Sequence, residues 1–214
     1  MPVVMSDWER AVWNAVIEAF EEGENATLYT LCQIFLTHRP KNVPALALMM
    51  HSLSSMFRFS ECEKLIRDIG SMPNEDDQRT WSRATGAYFS RCGRHDAAER
   101  ALRDAAALYA LPSGDLVLDI VESVISQGKL VSALQEIDDV LANIKQVDLS
   151  EHERLELLEW RVVVLRGLGR FQDALITIDH LEALTADPAR FEKLRGDIEG
   201  VCEAQSRFAK VPYN

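Results

Sequence analysis

Cys92 and His95, three positions apart, are the residue pair whose types and spacing could best support catalysis or metal binding. A thiol and an imidazole at that spacing are typical of a metal site or of a thiolate paired with a base. A closed metal site usually takes four ligands in two pairs, and no second pair lies near this one in sequence. Gly93 lies between the two residues, so His95 is interpreted as a packing residue that follows a turn.

A second candidate is His51, which is followed closely by Ser54 and Ser55. Nucleophilic catalysis by serine needs a base that is itself oriented by a third group, usually a carboxylate. No acidic residue has a spacing that would place it behind His51, and the chain has no glycine-rich phosphate-binding loop. The sequence therefore predicts no enzyme, no cofactor and no metal site.

The charge of the chain argues against two classes of partner. Its 214 residues carry a formal net charge of -11, and the sequence pI is about 4.9. A nucleic-acid backbone or an anionic membrane surface would repel that charge unless a local basic patch overrode it. No such patch is visible, and no run approaches the roughly 18 apolar residues of a membrane span. We expect neither nucleic acid nor membrane as a partner.

Two further features concern the cellular compartment. The first eight residues lack the basic segment and the long apolar segment of a secretory signal. The four cysteines are far apart in a chain that is long enough to bury a core, which indicates reduced thiols and not a disulfide framework. The sequence predicts a cytoplasmic protein.

An internal repeat gives the elements that position these residues. Five turn residues recur at separations of 34, 36, 35 and 41 residues: Gly23, Phe57, Gly93, Gly128 and Gly169. Small or apolar residues recur five positions after each turn: Leu28, Cys62, Ala98, Ala133 and Ala174. This register predicts one all-α solenoid domain over 1–214. Its hairpins are expected over 9–42, 43–78, 79–112, 114–147 and 150–188, with a capping helix over 188–209.

Local signals set the ends of the helices. Ser6 with Glu9, and Ser150 with Glu153, are typical capping boxes, in which side chains and backbone amides satisfy one another. The second helix of repeat two is expected to run to Ser71. Three further residues are expected to act as N-caps: Asn42, Asn74 and Ser113. The capping helix is expected to bury one stripe: Phe191, Leu194, Ile198 and Val201.

The unit from Arg79 to Pro112 resembles a tetratricopeptide (TPR) repeat. Its 34 residues place Trp81 and Gly86 on a first helix and Ala98 on a second, where the two helices must touch. Glycine occupies this first-helix position in repeat three alone, and no repeat has the tryptophan of the strongest family pattern at its fourth position. The resemblance implies a right-handed superhelix whose first helices line a concave groove that binds another protein.

One specific activity of the family is not expected here. TPR domains that bind the C-terminal carboxylate of large chaperones use Lys, Asn and Arg side chains on three successive first helices. The corresponding positions of this chain hold none of them: Trp13, Ile17, Leu48, Thr80 and Ala84.

The first helix carries an apolar stripe, Trp13, Ile17 and Phe20, in addition to its packing stripe. A helix that is apolar on two faces must pack both faces against other residues. The stripe is interpreted as an anchor for a partner's hydrophobic residue or as a homodimer seam. Two alternatives stay open: the segment Met1–Met5 folds over it, or the helical phase is off by one residue.

The remaining predicted contacts are polar. His51 faces the groove, and Arg83 is placed to bind a carboxylate or a peptide carbonyl there. Asp119 and Glu122 belong to an acidic face that suits a basic partner segment. The alternatives are surface ion pairing for the arginine and a solvated, solubilising face for the acids.

Together these features favour a non-catalytic scaffold that binds a peptide or helix of another protein in the groove. Two other functions stay open. One is a dedicated chaperone for a secreted or assembling subunit, and the other is a structural assembly protein that forms a homodimer through its first helix.

Overall fold

The computed structural model describes residues 5–70, 72 and 74–208, with side chains described to residue 204. These residues form eleven α-helices: α1 (Asp7–Glu21), α2 (Asn25–His38), α3 (Val43–Ser55), α4 (Phe59–Ile69), α5 (Glu75–Arg91), α6 (His95–Ala106), α7 (Gly114–Ser126), α8 (Leu130–Ala142), α9 (Glu151–Gly167), α10 (Phe171–Leu184) and α11 (Glu192–Phe208). Short 3₁₀ segments precede α9 and α11: Ile144–Gln146 and Pro188–Phe191. Within the described part of the chain, no helix has both the length and the apolar character needed to cross a membrane.

Two compact units divide the chain, residues 1–110 and 111–214. The first unit contains three helical hairpins, α1–α2, α3–α4 and α5–α6, and α3 contacts both α2 and α5. The second unit contains the hairpins α7–α8 and α9–α10, with α11 packed on α10. The single domain over 1–214 stays a prediction.

Every hairpin turns through the same backbone motif. The φ angle is positive at all five predicted turn residues, from 58° at Phe57 to 76° at Gly93. In the first turn, the Gly23 amide donates to the Phe20 carbonyl at 3.1 Å, and the next amide donates to the Ala19 carbonyl at 2.9 Å. These two bonds define the Schellman motif, and the other four turns repeat both. Glycine adopts this left-handed conformation without a side-chain clash, and Phe57 is the exception.

The predicted capping boxes are confirmed at both sites. Ser6 accepts from the Glu9 amide at 3.2 Å, and Ser150 accepts from the Glu153 amide at 3.3 Å. In each case the glutamate side chain accepts from the serine amide in return. The first turns of α1 and α9 are therefore fixed by residues that lie next to them in sequence.

The single N-caps are only partly confirmed. Asn42 and Asn74 each accept from a backbone amide three residues further on, both at 2.9 Å. Ser113 does precede α7, but the prediction that its side chain caps the helix is wrong. Its hydroxyl contacts the Asp115 carboxylate, which itself accepts from the Leu116 amide.

One helix end differs from the prediction. The helix α4 ends at Ile69 and not at Ser71, because Gly70 adopts a positive φ of 66°. Ser71 itself lies outside the described residues, as do residues 73 and 209.

The long spacing before repeat five includes a backbone pairing of two linkers. The Gly114 amide donates to the Asp148 carbonyl at 2.8 Å, and the Asp148 amide donates to the Pro112 carbonyl at 3.0 Å.

The predicted packing positions form the core of each unit. All five residues that follow the turns at the helix-packing position are buried. In repeat three, Gly86 allows Leu102 to approach so closely that a β-carbon at residue 86 would lie 2.6 Å from its Cγ. Small residues therefore set the distance between α5 and α6.

The apolar stripe predicted for the capping helix is confirmed only in part. Phe191 and Ile198 are buried, Leu194 is half-buried and Val201 is exposed. The half-buried Cys202 faces α10, with Sγ 3.9 Å from Gln172 Nε2. Cys202 lies four positions after Ile198, so the stripe continues by a step of four where the prediction assumed a step of three.

Candidate functional site

The predicted site residues of the first unit lie on α1, α3 and α5, the first helices of its three hairpins. Residues four apart on a helix share a face, so Ala47 lies one turn before His51 and Ala87 one turn before Arg91. Ala87 is exposed and Ala47 is half-buried. At the C-terminal ends of these helices, His51 is half-buried and Arg91 is exposed.

One row of side chains crosses all three helices near their C-terminal ends. Phe20 of α1 contacts His51 of α3 edge to face, with ring centroids 5.1 Å apart and planes at 75°. From α5, Arg91 Nη1 donates to Ser55 Oγ and, at 3.4 Å, to Ser54 Oγ. We call these five residues the first-helix row.

Arg91 supplies the charge of the first-helix row. Burial, and secondly the Arg91 charge, lower the pKa of His51 below its ordinary value of 6.5, so the imidazole is neutral at pH 7. The Ser54 hydroxyl lies 2.9 Å from the His51 carbonyl and donates to it. Among the described residues, no carboxylate forms an ion pair with Arg91. The row therefore combines an exposed aromatic ring, neutral polar groups and one cation.

Trp13 and Ile17 are less accessible than Phe20. The Trp13 ring lies 5.1 Å from that of Phe35 on α2 and packs on the buried cluster that includes Val16. Trp13 and Ile17 are half-buried, whereas Phe20 is 41% exposed. Part of the predicted stripe thus packs within the first hairpin. Residues 1–4, which belong to the segment considered as an alternative cover, lie outside the described residues.

Arg83 is half-buried on α5. Two other arginines in or beside α5 form ion pairs inside the unit. Arg79 contacts Asp76, and Arg94 Nη1 lies 2.6 Å from Glu63 Oε1. Surface pairing, the alternative that the sequence left open for Arg83, is therefore found for its neighbours Arg79 and Arg94.

The predicted acidic contacts lie on α7, in the second unit. Asp119 is half-buried and Glu122 is exposed. Two other acids of that predicted face are engaged within the unit, because Asp115 accepts from the Leu116 amide and Glu159 pairs with Arg190. Asp119 and Glu122 belong to the second unit, whereas the first-helix row belongs to the first.

The cysteine thiols of the first unit lie in packing environments. Cys92 Sγ lies 3.3 Å from the Phe89 carbonyl oxygen. Burial raises the pKa of Cys32 to about 12 and, with neighbouring carboxylates as a smaller cause, that of Cys62 to about 11. Both thiols therefore stay protonated at pH 7. Over the described ranges, no three His, Cys, Asp or Glu side chains group so as to hold a metal ion.

Known proteins resemble this chain in structure. The sequence matches no protein-family model and no curated protein. A Podosopora anserina kinesin light chain with nearly identical TPR-like repeats gives a TM-score of 0.64 at 15% identity, over 83% of this chain and 95% of that one. TTC0263, a TPR protein of Thermus thermophilus, gives a TM-score of 0.59 at 14% identity, over 89% of this chain and 98% of that one. The chain has a TPR-like solenoid fold. Cut9–Hcn1, a hetero-tetramer of the APC/C, gives a TM-score of 0.62 at 12% identity, over 88% of this chain and 35% of that one.

The TPR-like register explains a contact that the sequence did not single out. Ser55 and Arg91 each precede their turn residue by two positions, in successive repeats. Equivalent positions on neighbouring first helices lie side by side in stacked hairpins, so a separation of 36 residues becomes a hydrogen bond. The repeat register was the signal that would have paired them.

Proposed function

We propose that this protein is a non-catalytic scaffold that binds a peptide or helix of another protein across the first helices of its first unit. The observation that supports the proposal is the first-helix row. It places the exposed Phe20 beside the neutral His51 and the cationic Arg91. An apolar anchor next to a few directed polar groups is the usual composition of a protein-binding surface.

Each predicted site residue has a role in this proposal. Phe20 and Ile17 provide the apolar anchor, and Trp13 holds α1 in place by packing on Phe35. His51 and Arg83 supply polar contacts. Asp119 and Glu122 are proposed to contact a basic segment separately, on the second unit. The buried, protonated thiols are compatible with the reducing cytosol that we propose as the compartment.

Assembly with other chains occurs among the similar folds, since Cut9–Hcn1 is a hetero-tetramer. A homodimer through α1 is the second candidate function, and it is favoured by the exposed rings of Trp8 and Phe20 on that helix. The dedicated chaperone stays a prediction from the sequence.

The test compares two serine substitutions on the first hairpin. Phe20 and Ile34 are both 41% exposed, but Phe20 belongs to the first-helix row and Ile34 lies on α2. Wild type, Phe20→Ser and the matched control Ile34→Ser are used to capture proteins from an extract, and the captured proteins are quantified by mass spectrometry. We expect wild type and Ile34→Ser to capture the same proteins in equal amounts. Phe20→Ser is expected to capture at least about tenfold less of them, since the loss of one contact of about 1.4 kcal/mol lowers affinity by a factor of ten.

Light-scattering mass over a concentration range decides between the two candidates. A wild type that dimerises while folded Phe20→Ser stays monomeric would favour the homodimer seam. Equal capture by all three proteins, with circular dichroism showing them folded, would contradict the proposed binding surface.

A further inference from the structure

We propose that Phe57 and Arg91 form one contact that binds an apolar side chain and a neighbouring carboxylate of the partner segment. This inference rests on the proposed function and specifies the chemistry of the partner. The contact lies at the turn of the second hairpin, where α3 ends, and includes the last residue of α5.

Phe57 has a conformation and an exposure that the fold does not require. Its φ is 58°, in the left-handed region that a bulky residue rarely adopts, and glycine occupies the same turn position in the other four hairpins. Its side chain is nevertheless 78% exposed. The one described ring contact of Phe57 is an edge contact with Phe59, with centroids 5.9 Å apart. Strained backbone conformations cluster at functional sites, so the conformation of Phe57 supports a functional role for its exposed ring.

Arg91 lies close to the backbone of Phe57, because both residues bond to the same serine. The Phe57 amide donates to the Ser54 carbonyl at 3.1 Å, and Arg91 Nη1 donates to the Ser54 hydroxyl at 3.4 Å. Arg91 also donates to Ser55, two residues before Phe57. A short segment that covers the ring can therefore reach the guanidinium.

The charge of Arg91 indicates which group the partner supplies. Within the described part of the chain, Arg91 bonds through Nη1 to serine hydroxyls alone, so Nε and Nη2 remain available as donors. Neighbouring cations differ in this respect, since Arg58 pairs with Glu61 and Arg94 with Glu63. The planar guanidinium fork matches a carboxylate, which it can bind through two parallel hydrogen bonds. An apolar residue on the Phe57 ring with Asp or Glu close by fits both groups.

The experiment uses a random peptide library displayed on phage and selected on wild-type protein. We expect enriched peptides to carry Asp or Glu within about one helical turn of a large apolar residue, because residues up to four apart share a face. Binding of the selected peptides is then measured on Phe57→Gly and Arg91→Gln, with Arg94→Gln as the matched control for loss of a cation. Both test variants are expected to lose at least about tenfold in affinity, and the control is expected to bind like wild type.

A charge reversal separates recognition from a structural role. A cation in the last turn of α5 also interacts favourably with the helix dipole, so loss of stability in Arg91→Gln would not by itself show recognition. Selection on Arg91→Glu is expected to enrich Lys or Arg next to the apolar residue, which a purely structural role would not produce. Phe57→Gly is expected to melt no lower than wild type, since glycine suits the left-handed turn.

Three outcomes would overturn the inference. If the selected peptides bind Phe57→Gly as tightly as wild type, the Phe57 ring does not contribute to binding. If the selected peptides are not enriched in Asp or Glu, Arg91 does not recognise a carboxylate. Peptides that are sensitive to Phe20→Ser but not to Phe57→Gly or Arg91→Gln would overturn this inference and leave the proposed function intact. A selection that enriches nothing would contradict both.

Discussion

The packing of Gly86 against Leu102 provides the sharpest test of how the third hairpin is held together. A β-carbon at residue 86 would lie 2.6 Å from Leu102 Cγ and 2.7 Å from Cδ2. Leu102 is 1% exposed, so its side chain has no solvent side to move into. Gly86→Ala therefore forces α5 and α6 apart or distorts the Leu102 rotamer. Overpacking of this kind costs about 1–3 kcal/mol.

The helical preference of alanine opposes this cost. Alanine is favoured over glycine in a helix interior by about 1 kcal/mol. Because the clash involves Cγ and not only the mobile end of the side chain, we place its cost in the upper part of the range. The net expectation for Gly86→Ala is a loss of about 1–2 kcal/mol in the free energy of unfolding.

Urea denaturation followed by circular dichroism measures this change. Gly196→Ala is the control, because residue 196 lies in α11 with no atom within 4 Å of the added β-carbon. We expect the control to gain up to about 1 kcal/mol. In a Leu102→Ala background the obstructing atoms are absent, so Gly86→Ala is expected to become neutral or stabilising. If Gly86→Ala stabilises the wild-type background as much as the control does, the packing argument is refuted.

Two further predictions concern pH and thiol reactivity. The Arg39 hydrogen bond, at 2.5 Å, and the Ser6 amide lower the pKa of Glu9 from 4.5 to about 2. This depressed pKa stabilises the folded state above pH 4.5, and the contribution is lost as the pH falls from 4.5 to 2. Wild type is therefore expected to be more stable than Glu9→Gln at pH 7, with a difference in urea midpoint that shrinks over that window; a difference independent of pH would contradict the assignment. Iodoacetamide at pH 8 is expected to modify the half-buried Cys92 in native protein and to reach the buried Cys32 only after unfolding, as measured by peptide mass spectrometry. Equal labelling of the two thiols under native conditions would show that the first hairpin opens readily.

Local features of the fold were predictable because neighbouring residues produce them. The capping box of Ser6 and Glu9 involves residues three apart, and its geometry follows from the helix itself. The turn at Gly93 follows from a residue that tolerates positive φ between two amphipathic helices. The cap at Ser113 was predicted wrongly because a neighbour competes with it, since the Asp115 carboxylate accepts from the Leu116 amide in its place.

The candidate site was only partly predictable. The period of the repeat placed Phe20, His51 and Arg83 on first helices, and Phe20 and His51 do contact each other. The period did not show that Trp13 packs on Phe35. That contact depends on how α1 and α2 cross, which is a property of two helices and not of one amphipathic pattern.

By itself, the sequence determined the repeating hairpins, their turns and most of their caps, because each depends on helical periodicity and on residues within one turn of each other. Only the tertiary structure decided which side chains of different repeats meet. It joined Arg91 to Ser55 across 36 residues and left the Phe57 ring exposed at the next turn. The physical reason is that such contacts depend on the stacking and rotation of neighbouring helices, which are set by the combined packing of many side chains.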